Sequence, residues 1–165
     1  AKGGKYTQLV SEEEKEEALR LAVVYGVYLK RRSNFAMLAK NGQVQLSELL
    51  YAIRESTDAL SFYGAAASVI FEGDGTVPIE QITFLYEFFE DCIESALPDL
   101  SACLVRLSDK NGLLHCRIAL DNVRESISES WRKEKCEKLG ASVRLQKQDE
   151  TLYATLSFGE RGVIV

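Results

Sequence analysis

With 165 residues, of which 46% are hydrophobic and 27% charged, the chain has the composition of a soluble globular protein. Its length suits one domain, or one domain plus an appendage. The net charge of −5 provides no nonspecific attraction to nucleic acid or anionic lipid. Four cysteines, Cys92, Cys103, Cys116 and Cys136, form no C-x-x-C pair and accompany a single histidine, His115. That argues against zinc and for reduced, buried thiols in a cytoplasmic protein. No apolar run approaches ~20 residues and no signal peptide is evident, so no membrane contact is expected within this stretch. The opening "AKGGK" suits a piece cut from a longer protein.

"SEEEKEEALRLAVVYGVYLKRRSNFAMLAK" predicts one long helix. Ser11 is placed as its N-cap, with Glu14 completing a capping box. Early glutamates and late Lys30, Arg31 and Arg32 suit the helix dipole. Apolar residues recur at Ala18, Leu21, Ala22, Tyr25, Tyr28, Leu29, Phe35, Ala36 and Ala39 with helical spacing. Gly26 weakens the middle without having to break it. At 1.5 Å per residue the helix runs roughly 45 Å, longer than a compact body of this size accommodates. It therefore protrudes, packs along a partner, or folds back on its own domain.

Asn41-Gly42 signals a turn, Val44 and Leu46 alternate as a short strand, and Ser47 is placed as the cap of a helix ending at Gly64. "AAASVIFEG" reads as a strand closed by "GDGTVP". Pro78 opens a third helix, stopped before Pro98. "SACLVRLSD" and "LLHCRIALD" are strands joined by "KNG". "VRESISESWRKEKCEKL" reads as a helix ended by Gly140. "ASVRLQKQ" and "TLYATLSF" form a last hairpin across Asp149-Glu150. The expected fold class is α+β, a two-layer α/β sandwich with a mixed five-stranded sheet preceded by a long N-terminal helix. The expected division is 1–42 for the long helix and 43–165 for the domain.

This order, from about Val44 to Phe158, resembles the C-terminal ATPase domain of bacterial sensor histidine kinases. That domain belongs to the group shared by gyrase, heat-shock protein 90, histidine kinases and the mismatch-repair protein MutL, which binds ATP between helices and sheet. "KRRSNFAMLAKNGQVQLSELL" resembles the end of a kinase dimerisation helix and the start of its ATPase domain. The resemblance implies an N box on "FEDCIESALP": a Glu that orients water, then an Asn that ligates Mg²⁺. Glu90 takes the first position, as the catalytic candidate. Glu94 takes the second, as the metal candidate; its carboxylate oxygen is a hard ligand but lacks the amide donor of Asn. Pro98 stands where a basic residue or His is usual. The carboxylates equally suit a solvated helix face.

The adenine-binding D-x-G-x-G of the family falls on "DNVRE". Asp121 and Asn122 are the cofactor-binding candidates, but the glycines are replaced by Val123 and Glu125, which obstruct close backbone approach. Asp-Asn at a strand end is also an ordinary turn. No room is seen between Asn122 and "SWRKEKCEKLG" for an ATP lid, and that stretch holds no G-x-G to cradle phosphate. The closing "EKLGASVRLQKQDETLYATLSF" resembles the family's final segment. The scaffold is thus retained and the nucleotide machinery degenerate, so ATP and Mg²⁺ binding is expected to be weak or absent.

His115 sits on an alternating strand and does not suit the family's phosphoacceptor, which would lie upstream. Lys30 to Arg32 could meet an acidic partner or form the basic end of a helix. Trp131 could anchor a partner or pack in the core. The expected function is a kinase-like ATPase region of a bacterial sensor or two-component signalling protein. The alternatives are a non-enzymatic dimerisation and interaction module, or an anti-sigma-type partner-switching protein. A homodimer through the N-terminal helix and a response-regulator or other signalling partner are expected, without nucleic acid.

Overall fold

The structure, a computed structural model, describes residues 2–73, 75–97, 99–110 and 112–159. Asp74, Pro98 and Asn111, read above as turn, stop or motif positions, lie outside the described residues, as do Ala1 and 160–165. Helix α1 spans Lys2–Leu38 and is closed by a 3-10 turn, Ala39–Asn41. The capping box is corrected: the backbone is helical from Lys2. Ser11 lies inside the helix, where the following N–H groups already have intrahelical acceptors.

The 37 residues of α1 extend about 55 Å. Residues 12–20 are exposed throughout. From Leu21 onward the helix lies against the body, with Val24, Tyr28 and Phe35 buried and Leu21 and Leu38 packed on the core. Ala18, Ala22, Leu29 and Ala36, expected on the apolar stripe, face outward instead. Two apolar seams run along this helix, and the aromatic one won the body. Tyr28 and Phe35 meet the Tyr86 ring edge-on at 6.1 and 5.4 Å, a contact no alanine can make. Gly26 does not interrupt the helix.

The order continues as β1 (Gln43–Gln45), α2 (Leu46–Tyr63), β2 (Ala66–Glu72), β3 (Thr76–Pro78), α3 (Ile79–Ala96), β4 (Ala102–Lys110), β5 (Leu113–Asp121), α4 (Lys133–Leu139), β6 (Ala141–Gln148) and β7 (Thr151–Phe158). Gln45, not Ser47, precedes α2 as its cap position, without a side-chain cap bond. Gly64 ends α2 in the left-handed conformation, φ 96°, which costs glycine nothing. β1, expected from Val44 and Leu46, stops at Gln45 because Leu46 already opens α2; it pairs antiparallel with β3, a strand of three residues too short to show periodicity.

The main sheet has the order β2-β4-β5-β7-β6. β2 and β4 are parallel, and the other pairs are antiparallel. Cys103, Val105 and Leu107 of β4, Leu114, Cys116, Ile118 and Leu120 of β5, and Leu152, Ala154, Leu156 and Phe158 of β7 face the helix layer and are buried. Opposite them α3 inserts Phe84, Phe88 and Phe89, all fully buried; each such ring contributes about 1.5–3 kcal/mol by burial.

One helix is shorter than the sequence predicts. Only Lys133–Leu139 is helical, and residues 122–132 form a connecting segment. Its serines bond locally: Ser126 Oγ donates to the Ile127 carbonyl at 3.0 Å, and the Ser128 and Ser130 hydroxyls meet at 2.8 Å. Such bonds compete with helical ones. Among the described residues no helix is long and apolar enough to cross a membrane.

A Cβ added at Gly26 meets nothing within 4 Å, and the backbone there is helical. Gly26→Ala is therefore expected to stabilise the protein by about 0.5–1 kcal/mol, read as a higher denaturation midpoint at unchanged slope.

Candidate functional site

Helix α3 carries two carboxylate pairs of the same spacing, Glu87/Asp91 and Glu90/Glu94. Three residues of offset put them on adjoining flanks of the helix, and the structure gives each flank its own partner. Glu90 and Glu94 face α1. The Glu90 carboxylate is 3% exposed and grips the Arg32 guanidinium through both oxygens, one bond measuring 3.2 Å from Nε. Burial pushes the Glu90 carboxyl above its ordinary range, and Arg32 pulls against that shift. Arg32 is half-exposed, so the hydrogen bond it donates to Glu90 outweighs its own desolvation and its charge is stabilised. Glu94 is exposed and accepts a 3.4 Å bond from the Tyr25 hydroxyl of α1.

The basic triplet serves the same seam. Lys30 and Arg31 converge on Glu55 of α2, Lys30 at 2.9 Å, and these bonds, led by Lys30, hold the Glu55 carboxyl below its usual range. Lys30, Arg31 and Arg32 lie inside α1, not at its end, and each is answered by a carboxylate of the same chain.

Glu87 and Asp91 face the segment between β5 and α4. Trp131 is packed between Phe84 and Phe88, with ring centroids 5.0 and 5.3 Å away. Its indole Nε1 donates to Asp91 Oδ2 at 2.8 Å. Arg132 bonds Glu87 and reaches Asp91 at 3.3 Å, while Lys135 Nζ lies 3.6 Å from Glu87. Arg132 adopts a left-handed backbone, φ 43°, at a cost of about 1–2 kcal/mol. Its two carboxylates and its stacking on Trp131 at 5.1 Å oppose that cost. Glu87 and Asp91 were not singled out from the sequence. The available signal was the neighbouring pattern: Phe88 and Phe89 between the two carboxylates define a flank facing the interior.

Asp121 ends β5 in register with Thr151, whose hydroxyl donates to it at 2.6 Å. The buried residues of β5 are Leu114, Cys116, Ile118 and Leu120, so the strand's two-residue period turns Asp121 to the opposite, open face. His115 shares that face, its Nδ1 2.7 Å from Ser157 Oγ. Asn122 has φ 67°. Its amide donates to the Asp99 carbonyl, and its backbone N–H to that of Glu150, both at 3.0 Å. It is thus a turn that clamps two loops. Val123 and Ile127 pack on the core, holding the following segment down with aliphatic side chains.

The structure therefore does not bring Glu90, Glu94, Asp121 and Asn122 around one hollow. Glu90 and Glu94 serve the α1 seam, and Asp121 lies across the sheet from the helix layer. Among the described residues no three His, Cys, Asp or Glu side chains cluster to hold a metal ion. All four cysteines are free and buried. Burial pushes the Cys103 thiol up to about 12 and leaves it without a reactive thiolate.

No family model matches the sequence, and no curated protein matches it. The fold, in contrast, recurs in solved structures. A bacterial phosphotransferase matches with a TM-score of 0.58 and 13% identity, over 93% of this chain and 85% of that one. The histidine kinase domain of the blue-light activated histidine kinase from Erythrobacter litoralis EL346 matches at 0.55 and 13%, over 79% and 78%. The catalytic domain of histidine kinase ThkA matches at 0.52 and 11%, over 70% and 94%. ThkA in complex with the response regulator protein TrrA matches at 0.51 and 10%, over 92% of this chain and 60% of that one. The chain has the histidine-kinase-like ATPase fold that its sequence resembles.

Arg32→Ala leaves the Glu90 carboxylate buried without its cation and is expected to cost about 2–3 kcal/mol at neutral pH. A carboxyl whose folded pKa is raised contributes most stability when protonated and loses it as pH rises through that pKa. The defect should therefore shrink as pH falls from neutral toward the ordinary carboxylate range, and Arg32→Ala/Glu90→Gln should recover much of the loss. Urea melts across pH read both; a pH-independent deficit contradicts the assignment.

Proposed function

We propose that this chain is the histidine-kinase-like ATPase region of a bacterial signal-transduction protein whose nucleotide site is closed by its own side chains, so that it acts as an interaction module. The observation that carries this reading is the cluster of Trp131, Arg132 and Lys135 on Glu87 and Asp91. In this reading Glu87 and Asp91, on the flank of α3 toward the 122–132 segment, take the N-box positions in place of Glu90 and Glu94. Two cations of the chain then stand where a metal ion and its polyphosphate would need to enter, and Trp131 fills the space beside them.

The residues do not fit Mg-ATP. Both oxygens of Glu90 are held by Arg32. Asp121 stands on the open face of the sheet, and the glycine positions carry Val123 and Glu125. No phosphoryl-transfer step is therefore assigned to this chain. The interaction reading takes its partner class from the fold: ThkA is found in complex with a response regulator protein, and a protein of that signalling class in the cytoplasm is the proposed partner here.

The second element of the reading is a homodimer through α1. The seam turned away from the body runs Leu19, Ala22, Gly26, Leu29, Ser33 and Ala36, alternating steps of three and four, with Leu19 68% and Leu29 65% exposed. Leucines flanking small residues allow a second helix to approach closely.

Calorimetric titration with Mg-ATP is expected to show a Kd no tighter than about 1 mM, and the emission of Trp131, the single tryptophan, is expected to stay unchanged. Micromolar binding that Asp91→Asn abolishes overturns the closed-site reading. Light scattering is expected to report a dimer that Leu19→Glu/Leu29→Glu converts to a monomer with unaltered circular dichroism; a wild-type monomer at high concentration excludes the dimer.

A further inference from the structure

The open face of the five-stranded sheet carries positive charge that forms no ion pair among the described residues. Strand register places Ile70, Arg106, Arg117, Thr155 and Arg144 in a single row across all five strands. At about 4.8 Å between strands, Arg106 and Arg117 are direct neighbours and Arg144 stands about 10 Å beyond Arg117. All three arginines are exposed, and none forms an ion pair among the described residues. Like charges directly opposite on a sheet are destabilising. Yet a chain with 25 acidic residues places none of them in this row.

The carboxylates of this face stand at its margins. Asp121 is bonded by Thr151, Glu129 accepts from the Leu145 N–H at 3.1 Å, and Glu72 ends β2. Arg117 is held over the Tyr153 ring, 4.3 Å from its centroid, which orders the middle cation of the row. The surface is indented on both sides of it. One hollow of about 680 Å³ borders Arg117 and Arg144, with Glu129, tied to the Leu145 N–H, on its rim, and another of about 320 Å³ borders Arg106 and Arg117.

We infer that this arginine row is a docking surface for an acidic helix of a partner protein. Guanidinium groups bind carboxylates in a bidentate fork. Carboxylates at i and i+3 or i+4 of a helix lie about 5–6 Å apart, the separation of neighbouring strands. A further carboxylate some ten positions on, about 15 Å along the helix, reaches from Arg106 to Arg144. Ile70, 42% exposed, ends the row with an apolar contact. A nucleic acid is disfavoured as occupant: its phosphates continue at one charge per ~1.7 Å, beyond the row, into the field of a chain of net charge −5. The surface is on the opposite side of the sheet from Glu87 and Asp91, so its test is independent of the closed-site reading.

The probe is a fluorescein-labelled helical peptide of about five turns with one stripe of glutamates, titrated into the whole chain at low salt, beside its glutamine counterpart and a short DNA duplex. Micromolar binding of the glutamate peptide is expected, weakening as salt rises, with none by the glutamine peptide. Arg106→Ser/Arg117→Ser/Arg144→Ser is expected to lose at least tenfold in affinity while melting no lower than wild type. Arg144→Ser alone, on the edge strand, is expected to lose severalfold. Equal affinity in the triple variant overturns the inference. So does tighter binding of DNA than of peptide, or self-association that the triple variant abolishes, which would make a second copy the occupant.

Discussion

Helix α3 poses the problem that the rest of this structure solves. Its inner face is a run of large apolar side chains, Phe84, Leu85, Phe88, Phe89 and Ile93, all fully buried. Within two turns of the same helix stand four carboxylates, Glu87, Glu90, Asp91 and Glu94. Carboxylates at three- and four-residue spacing repel one another on an isolated helix, and burying the apolar face brings Glu90 into the interior with it. Such a helix is stable only where cations reach it from outside its own segment. Arg32 of α1 reaches one flank, and Arg132 and Lys135 reach the other. α1 and the β5–α4 segment are thus tied to the body by one requirement, neutralisation of α3.

That requirement links packing to function. In the proposed reading, the flank of α3 toward the 122–132 segment is where the nucleotide's metal would sit in related folds, and carboxylates there need a positive partner. This chain supplies one covalently, as Arg132, and holds it in a costly left-handed backbone by stacking it on a tryptophan that is itself wedged between two phenylalanines. The same side chains complete the core at this flank of α3. On the reverse of the sheet the balance is inverted, with three arginines in one row and no described carboxylate within it.

Much of the fold was legible because period and punctuation agreed. β4 to β7 alternate with a two-residue period, and Gly64 and Gly140 end α2 and α4 in the left-handed conformation. The departures have local physical causes. Ser11 and Ser47 are good cap residues, but a helix starts where its backbone first closes hydrogen bonds, and cap chemistry alone does not decide that. Helix spacing through residues 123–132 was outweighed by serines that bond locally and by Trp131, whose burial dictates the path of the segment.

The candidate site was legible in its residue types and not in its directions. The amino-acid sequence by itself determined the α+β order, the alternation of the sheet strands and the carboxylate-rich α3, because these depend on spacing along the chain. Tertiary structure alone decided which of two equally spaced carboxylate pairs faces α1 and which faces Arg132, which of two apolar seams on α1 is buried, and that three arginines distant in sequence share one row. Those outcomes depend on the rotation of each helix and the register of each strand, and both are set by packing among segments that no local pattern encodes.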